Sequence, residues 1–249
     1  MAHIKSTLNK VFAHGVLYNV IPVSPMTAVT LRVSLEKKKA VKKRKDEKFL
    51  VEHELSAFMN EMYKRRNCNY YDLCVFLLYS GLRIGEAVDI TEDDINFEKN
   101  LVDVNKTLIN HDMQKGRWHY DEPKTVYSER IVRLPQVAMD ALQRVLDRSD
   151  ELDEYVKTKP FKNYMKMPSI FRTEYGAPIT SHSFREIIGR CQKELQDHCE
   201  ERYGFKWVKN VTPHSFRIIN ITYLANSDIP IREIMERVDM LRNERQWAI

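Results

Sequence analysis

Paired cysteines are missing from this chain. Its four, Cys68, Cys74, Cys191 and Cys199, fall in no CxxC pair and in no other zinc spacing. That pattern excludes a disulfide scaffold and reads as the reduced thiols of an intracellular protein. His198 beside Cys199 offers two metal donors, but no second pair matches them, so no metal site is expected. A membrane-length apolar run is also missing. The longest stretch, Val75-Phe76-Leu77-Leu78-Tyr79, falls far short of the roughly 20 residues a bilayer needs, and the polar, mixed first twenty residues hold no signal peptide. The expectation is a soluble, cytoplasmic protein without membrane contact. There is no internal repeat, and the only low-complexity tract is a lysine run.

What is present suits one large domain or two small ones. The chain has 249 residues, 43% hydrophobic and 30% charged, with a net charge of +5. That excess permits a nucleic-acid partner without requiring one. Residues 4–18 keep helical apolar spacing through Ile4, Leu8, Val11, Phe12 and Leu17, and the prolines of Ile21-Pro22-Val23-Ser24-Pro25 favour an extended segment. Then Lys37, Lys38, Lys39, Lys42, Lys43, Arg44 and Lys45 place seven basic residues in nine. Such a run reads as a solvated, flexible linker that also straps a phosphate backbone, and it marks a domain boundary.

Beyond the run, helices are expected over about 52–66 and 70–79. The second is apolar nearly all round, hence buried, and Ser80-Gly81 supplies its left-handed exit. Arg83 leaves that core at a fixed angle, with Glu86 placed to hold its guanidinium or simply to form a structural pair with it. Thr91-Glu92-Asp93-Asp94 reads as a capped turn, followed by short strands at 95–97 and 101–104. A further strand through Trp118 and Tyr120 is expected to turn near Pro123-Lys124 and return over 130–134, with alternating apolar and basic residues on that return. Lys124 would sit near the hairpin tip. Helices over about 135–148, 183–196 and 231–238 complete the pattern, with a weak strand at 169–172.

Near the C-terminal end, Thr212-Pro213-His214-Ser215-Phe216-Arg217 starts another helix, with Thr212 able to cap it and Pro213 at a position needing no amide donor. His214 and Arg217, three residues apart, share a face. A guanidinium beside an imidazole at the positive end of a helix suits a phosphate. Alone, the pair is a weak signal.

Together, three segments are specific: Ser80-Gly81-Leu82-Arg83-Ile84-Gly85-Glu86-Ala87, Pro123-Lys124-Thr125 with Ser128-Glu129-Arg130, and Thr212 to Arg217. In this order they resemble the catalytic domain of tyrosine recombinases, the phage-integrase family, over roughly residues 48–240. The resemblance implies an α+β, mainly α-helical fold with a small antiparallel sheet and hairpin. It also implies a bacterial or phage origin, double-stranded DNA as partner, further recombinase protomers as a second partner class, and no cofactor. The family breaks a DNA strand by tyrosine attack on phosphorus without a metal. By resemblance, Arg83 and Arg217 clamp the phosphate, Lys124 is the general acid for the leaving oxygen, His214 assists proton transfer or holds the phosphate, and Glu86 orients groups near Arg83.

The resemblance also assigns regions. Residues 1–24 look like the last helix of a core-binding domain, 25–47 like a basic linker, and 48–249 like a catalytic domain that is incomplete at its C-terminal end. Where the family carries Gly-His, this chain has Asp239 and Met240. The nucleophilic tyrosine would fall near Ile249, and no tyrosine follows Tyr223, which lies too close to Arg217 on the same helix to replace it. The expectation is a DNA-binding recombinase domain deficient in cleavage, or else a non-catalytic regulator or dominant-negative partner of a full-length integrase.

Overall fold

The computed structural model describes residues 2–31, 34–110, 118–121 and 129–238, in two compact units, 1–45 and 46–249. The first unit begins with α1 (Ala2–Leu17). Ser24 is extended, as the prolines require, but its hydroxyl accepts the Met26 amide and starts a 3-10 turn over Pro25–Ala28, so the segment bends instead of running straight. The basic run is helical within α2 (Leu35–Asp46). Lysine, arginine and alanine are good helix formers and no glycine or proline interrupts them, a propensity that the charge-based reading of a flexible linker did not weigh. Lys39, Lys42 and Lys43 are exposed, whereas the side chains of Lys37, Lys38, Arg44 and Lys45 lie outside the described part.

The second unit is built around one helix. Following α3 (Glu52–Tyr63), α4 (Asn69–Ser80) buries Leu73, Cys74, Phe76 and Leu77 completely. A helix that is apolar on every side must be covered on every side. The cover comes from α3, from α6 (Gln136–Thr158) and from α8 (Pro213–Ala225). The charge inside this cover is paired. Asp72, on α4, accepts both Arg144 and Arg148 from α6, and Arg148 also donates to Asn69 Oδ1 at 2.8 Å. α7 (Ser181–Tyr203) packs on α3 and contributes Phe184, Ile188 and Cys191 to the core. Cys74, Cys191 and Cys199 are all buried thiols, and burial pushes their pKa values up.

Both long helices outrun their expected ends, 148 and 196. Ser149-Asp150 and the polar residues after Gln196 look like stop signals in sequence. In the fold, Asp153 pairs with Arg172 at 2.9 Å and Cys199 sits in the core, so each helix has a reason to continue.

The β-structure departs most from expectation. β1 (Ile95–Asn96), β2 (Leu101–Val104) and β5 (Arg130–Arg133) form an antiparallel sheet in the order β1-β2-β5. β4 (Trp118–Asp121) pairs with an unanticipated strand, β3 (Thr107–Asn110), and not with β5. The register matches Val102 with Val132 and Val104 with Arg130. Val132 is therefore buried, Arg130 shares its face, and Ile131 is left 66% exposed beside Arg133. The expected apolar-in, basic-out alternation is inverted at these two positions. Lys124 lies outside the described residues.

At the end of α4 the chain turns at Gly81, with φ 66° and ψ 12°. A Cβ added there would stand 2.4 Å from Asn220 Oδ1 and 3.1 Å from Val238 Cγ1. Both the left-handed backbone and the close neighbours demand glycine. Gly81→Ala is expected to lower unfolding free energy by about 1–3 kcal/mol, measured by denaturant titration. An unchanged midpoint would show that the turn relaxes at no cost.

Candidate phosphate-binding site

Three short elements meet where α4 ends. The last carbonyls of any helix lack intrahelical donors. In α4 they are met by side chains from far along the chain. Asn220 Nδ2 donates to Leu78 O at 2.6 Å, Arg237 Nη2 to Tyr79 O at 2.6 Å, and Arg217 Nη1 to Gly81 O at 2.9 Å. Arg217 Nη2 also donates to Val238 O, at the end of α9 (Ile231–Arg237). Cations at the negative ends of two helix dipoles are electrostatically well placed. Arg217 is only 3% exposed, so its direction is fixed by these bonds.

Arg83 sits just past the Gly81 turn as the extended N-terminal cap of α5 (Ile84–Val88). Glu86 grips it twice: Oε2 accepts the Arg83 backbone N–H at 2.9 Å, and Oε1 accepts the Arg83 Nη1 at 2.7 Å. Burial alone would raise the Glu86 carboxyl, but Arg130 and Arg83 outweigh it and hold the pKa below the ordinary value. Arg83 keeps half of its side chain exposed, on the solvent side of this grip.

The helix start at Thr212 forms as expected, with one difference. Thr212 is extended and Pro213 begins α8, but the hydroxyl that closes the turn is that of Ser215, accepting the Thr212 N–H at 3.0 Å. His214 is exposed as a residue while its imidazole is partly desolvated. That desolvation, then the charges of Arg217, Lys48 and Arg83, push its pKa below the ordinary value. The same influences place His214, Arg217, Arg83 and Lys48 in one electrostatic neighbourhood. These cations disfavour protonation of the histidine, and a phosphate beside them would offset that repulsion.

Of the expected site residues, Glu86 holds Arg83, Arg217 holds the Gly81 carbonyl two residues before Arg83, and His214 feels the charges of both arginines, while Lys124 lies outside the described residues. Sequence reasoning passed over Lys48, Asn220, Arg237 and the role of Arg130, whose Nη2 reaches Glu86 Oε2 at 2.7 Å. Arg130 stood within a quoted motif. Its signal, an arginine four residues before the leucine that follows the strand, needed the β2–β5 register to be read.

The phage integrase family model matches residues 48–240. A probable integrase of prophage ps2 from Lactococcus lactis is 27% identical over 235 residues, which is 94% of this chain and 58% of that protein. The present chain thus spans little more than half the length of that relative. Among solved structures, the Tn1549 transposon integrase in complex with a circular intermediate DNA aligns with a TM-score of 0.66 at 20% identity, over 95% of this chain and 69% of that one. A lambda integrase tetramer bound to a Holliday junction aligns with a TM-score of 0.51 at 13% identity, over 95% of this chain and 57% of that one. At such identities the structural likeness concerns the fold. Among the described residues, no helix is long and apolar enough to cross a membrane.

The His214 shift carries a testable sign. Its folded pKa lies below its unfolded value near 6.5, so the protein favours the neutral ring. Its contribution to stability is full above that value and is lost as pH falls through it. His214→Gln should flatten the fall of unfolding free energy between about pH 7 and 5. NMR titration of the imidazole checks the cause directly, since a ring titrating at or above the ordinary value without added anion contradicts it.

Proposed function

Because this chain belongs to the phage integrase family, we propose that it binds double-stranded DNA with one phosphodiester held among Arg83, Arg217 and His214. The function is that of a phage-integrase-type site-specific recombinase, which integrates or excises DNA by strand breakage and rejoining. The observation that carries this reading is that Arg217, from α8, holds the Gly81 carbonyl two residues before Arg83, so both arginines are mounted on the one turn that ends α4. Guanidinium forks match the oxygens of a phosphate in a way an ammonium does not. In the transition state the same groups would offset charge growing on the non-bridging oxygens.

Lys124 is proposed as the general acid for the leaving oxygen, and Glu86 as the group that keeps Arg83 extended toward the phosphate. His214, biased toward its neutral form, would accept or pass a proton. The seven basic residues from Lys37 to Lys45 add sequence-independent attraction to the DNA backbone. Other recombinase protomers are proposed as further partners.

Within these 249 residues no tyrosine follows Tyr223, which is 53% exposed on α8. We therefore propose that this polypeptide by itself occupies DNA without forming a covalent phosphotyrosine. The same fact favours a second reading, a non-catalytic regulator or dominant-negative partner of a longer integrase. A suicide-substrate assay separates these possibilities. Neither the chain alone nor Tyr223→Phe should trap DNA, and an adduct on any residue of this chain would contradict the cleavage deficiency. Cleavage restored by mixing with a longer integrase would favour recombination in mixed assemblies, whereas inhibition of that integrase would favour the regulator.

Binding should weaken linearly in log affinity against log salt. Replacing Lys39, Lys42 and Lys43 by glutamine should reduce that slope by about one per lysine. Affinity that stays flat between about 50 and 200 mM salt would remove the phosphate-backbone assignment.

A further inference from the structure

Arg130 lies on β5 with its side chain only 10% exposed. Its guanidinium serves two elements at once: Nη2 donates to Glu86 Oε2 at 2.7 Å, and Nε donates to the backbone carbonyl of Arg237, the last residue of α9, at 3.0 Å. Glu86 is in turn the residue that holds Arg83 by backbone and side chain. The two guanidiniums thus share one carboxylate, Arg83 on Oε1 and Arg130 on Oε2.

We propose that Arg130 is a positioning residue for the phosphate site. It sets the direction of the Arg83 guanidinium through Glu86 and ties that setting to the seating of α9 through the Arg237 carbonyl. The inference rests on the phosphate-site reading above and assigns a role that reading leaves empty.

The residue type follows from the geometry. Two acceptors on separate elements, one a carboxylate and one a carbonyl, are met by two different nitrogens of a planar fork. Lysine, with a single nitrogen on a flexible stem, cannot span both in a fixed direction. Without Arg130, the part-buried Glu86 carboxylate would lose one of the two guanidiniums that meet it among the described residues. Desolvation, its largest opposing influence, would then raise its pKa and loosen its hold on Arg83.

The β2–β5 pairing makes the relay stiff, because Val104 lies opposite Arg130 and Val132, two residues along on the same face, is buried. At its other end, α9 is held a second time by Arg217, through Val238 O, and a third time by Arg237 itself, through Tyr79 O. Whatever unseats α9 therefore disturbs both arginines assigned to the phosphate, one directly and one through Arg130 and Glu86.

The test uses the full 249-residue chain, with inorganic phosphate titrated and read by NMR of the arginine Nε–H signals. Arg83→Ala should weaken phosphate binding, and Arg130→Lys should weaken it by about tenfold, the scale of a lost bond to a charged group. The double variant Arg83→Ala/Arg130→Lys should lose less than the two single losses combined, because Arg130 acts chiefly through Arg83 and only for the remainder through α9 and Arg217. Amide hydrogen exchange across Ile231–Arg237 should quicken in Arg130→Lys.

An Arg130→Lys protein that binds phosphate as the parent does, or that weakens it equally with Arg83 already removed, overturns the relay. Unchanged exchange in α9 overturns its second half. If Arg130→Lys does not fold, Glu86→Gln carries the same comparison: it should weaken phosphate binding and be non-additive with Arg83→Ala, and an unchanged affinity again overturns the relay. A parent chain that binds no phosphate, or an Arg83→Ala chain that binds it equally well, fails the phosphate-site reading and the relay with it. Loss in Arg83→Ala alone fails only the relay.

Discussion

The carbonyls at the end of α4 have no amide donors within their own helix, and the arrangement of the site follows from how they are satisfied. Leu78 O, Tyr79 O and Gly81 O take donors from Asn220, Arg237 and Arg217, residues more than a hundred positions away. These bonds seal the end of a largely buried helix, where an unmet carbonyl would carry a cost of desolvation. They also fix α8 and α9 against the turn that launches Arg83. Stability and the placement of the cations are therefore one arrangement, centred on a residue without a side chain.

Charge in this region is distributed unevenly. Glu86 takes both Arg83 and Arg130, which hold its pKa below the ordinary value, while the charges of Arg217, Lys48 and Arg83 act on His214. Proteins bury like charges together only when neutral acceptors or a bound counter-ion offset the repulsion. Here backbone carbonyls do part of that work for Arg217, Arg237 and Arg130, and the histidine remains biased toward its neutral form. Carbonyl dipoles hold a guanidinium in place without neutralising it. A phosphodiester bound beside Arg83 and Arg217 would then meet donors already aligned for charge developing on phosphorus.

Local chemistry made much of this legible in advance. The apolar wrap of residues 73–78 followed by Ser80-Gly81 announced a buried helix and a left-handed stop, and Arg83 with Glu86 three residues on announced a held guanidinium. The proline after Thr212 announced α8. Tertiary decisions were hidden. β3 was overlooked because Thr107–Asn110 is short and offers little alternation, and its absence left β4 without a partner other than β5. The basic run was read by charge and not by helix propensity. Arg130 went unassigned because its partner stands 44 residues earlier and its orientation depends on which strand β5 joins. Residue type and spacing reveal a group held by its neighbours in sequence, and are silent about one held across a sheet.

The buried thiols have a consequence of a different kind. Cys74 lies inside α4, Cys191 and Cys199 lie along α7, and burial raises all three thiol pKa values, while Cys68 at the head of α4 is partly accessible. A thiol reagent attacks the thiolate, so in the folded protein the three interior sulfurs are chemically silent twice over, by access and by protonation. Their rate of modification is thereby set by how often the α3–α4–α7 core opens. Cys68 supplies a reference rate on the same molecule. The chain thus carries a built-in clock for breathing of the scaffold on which its arginines are mounted.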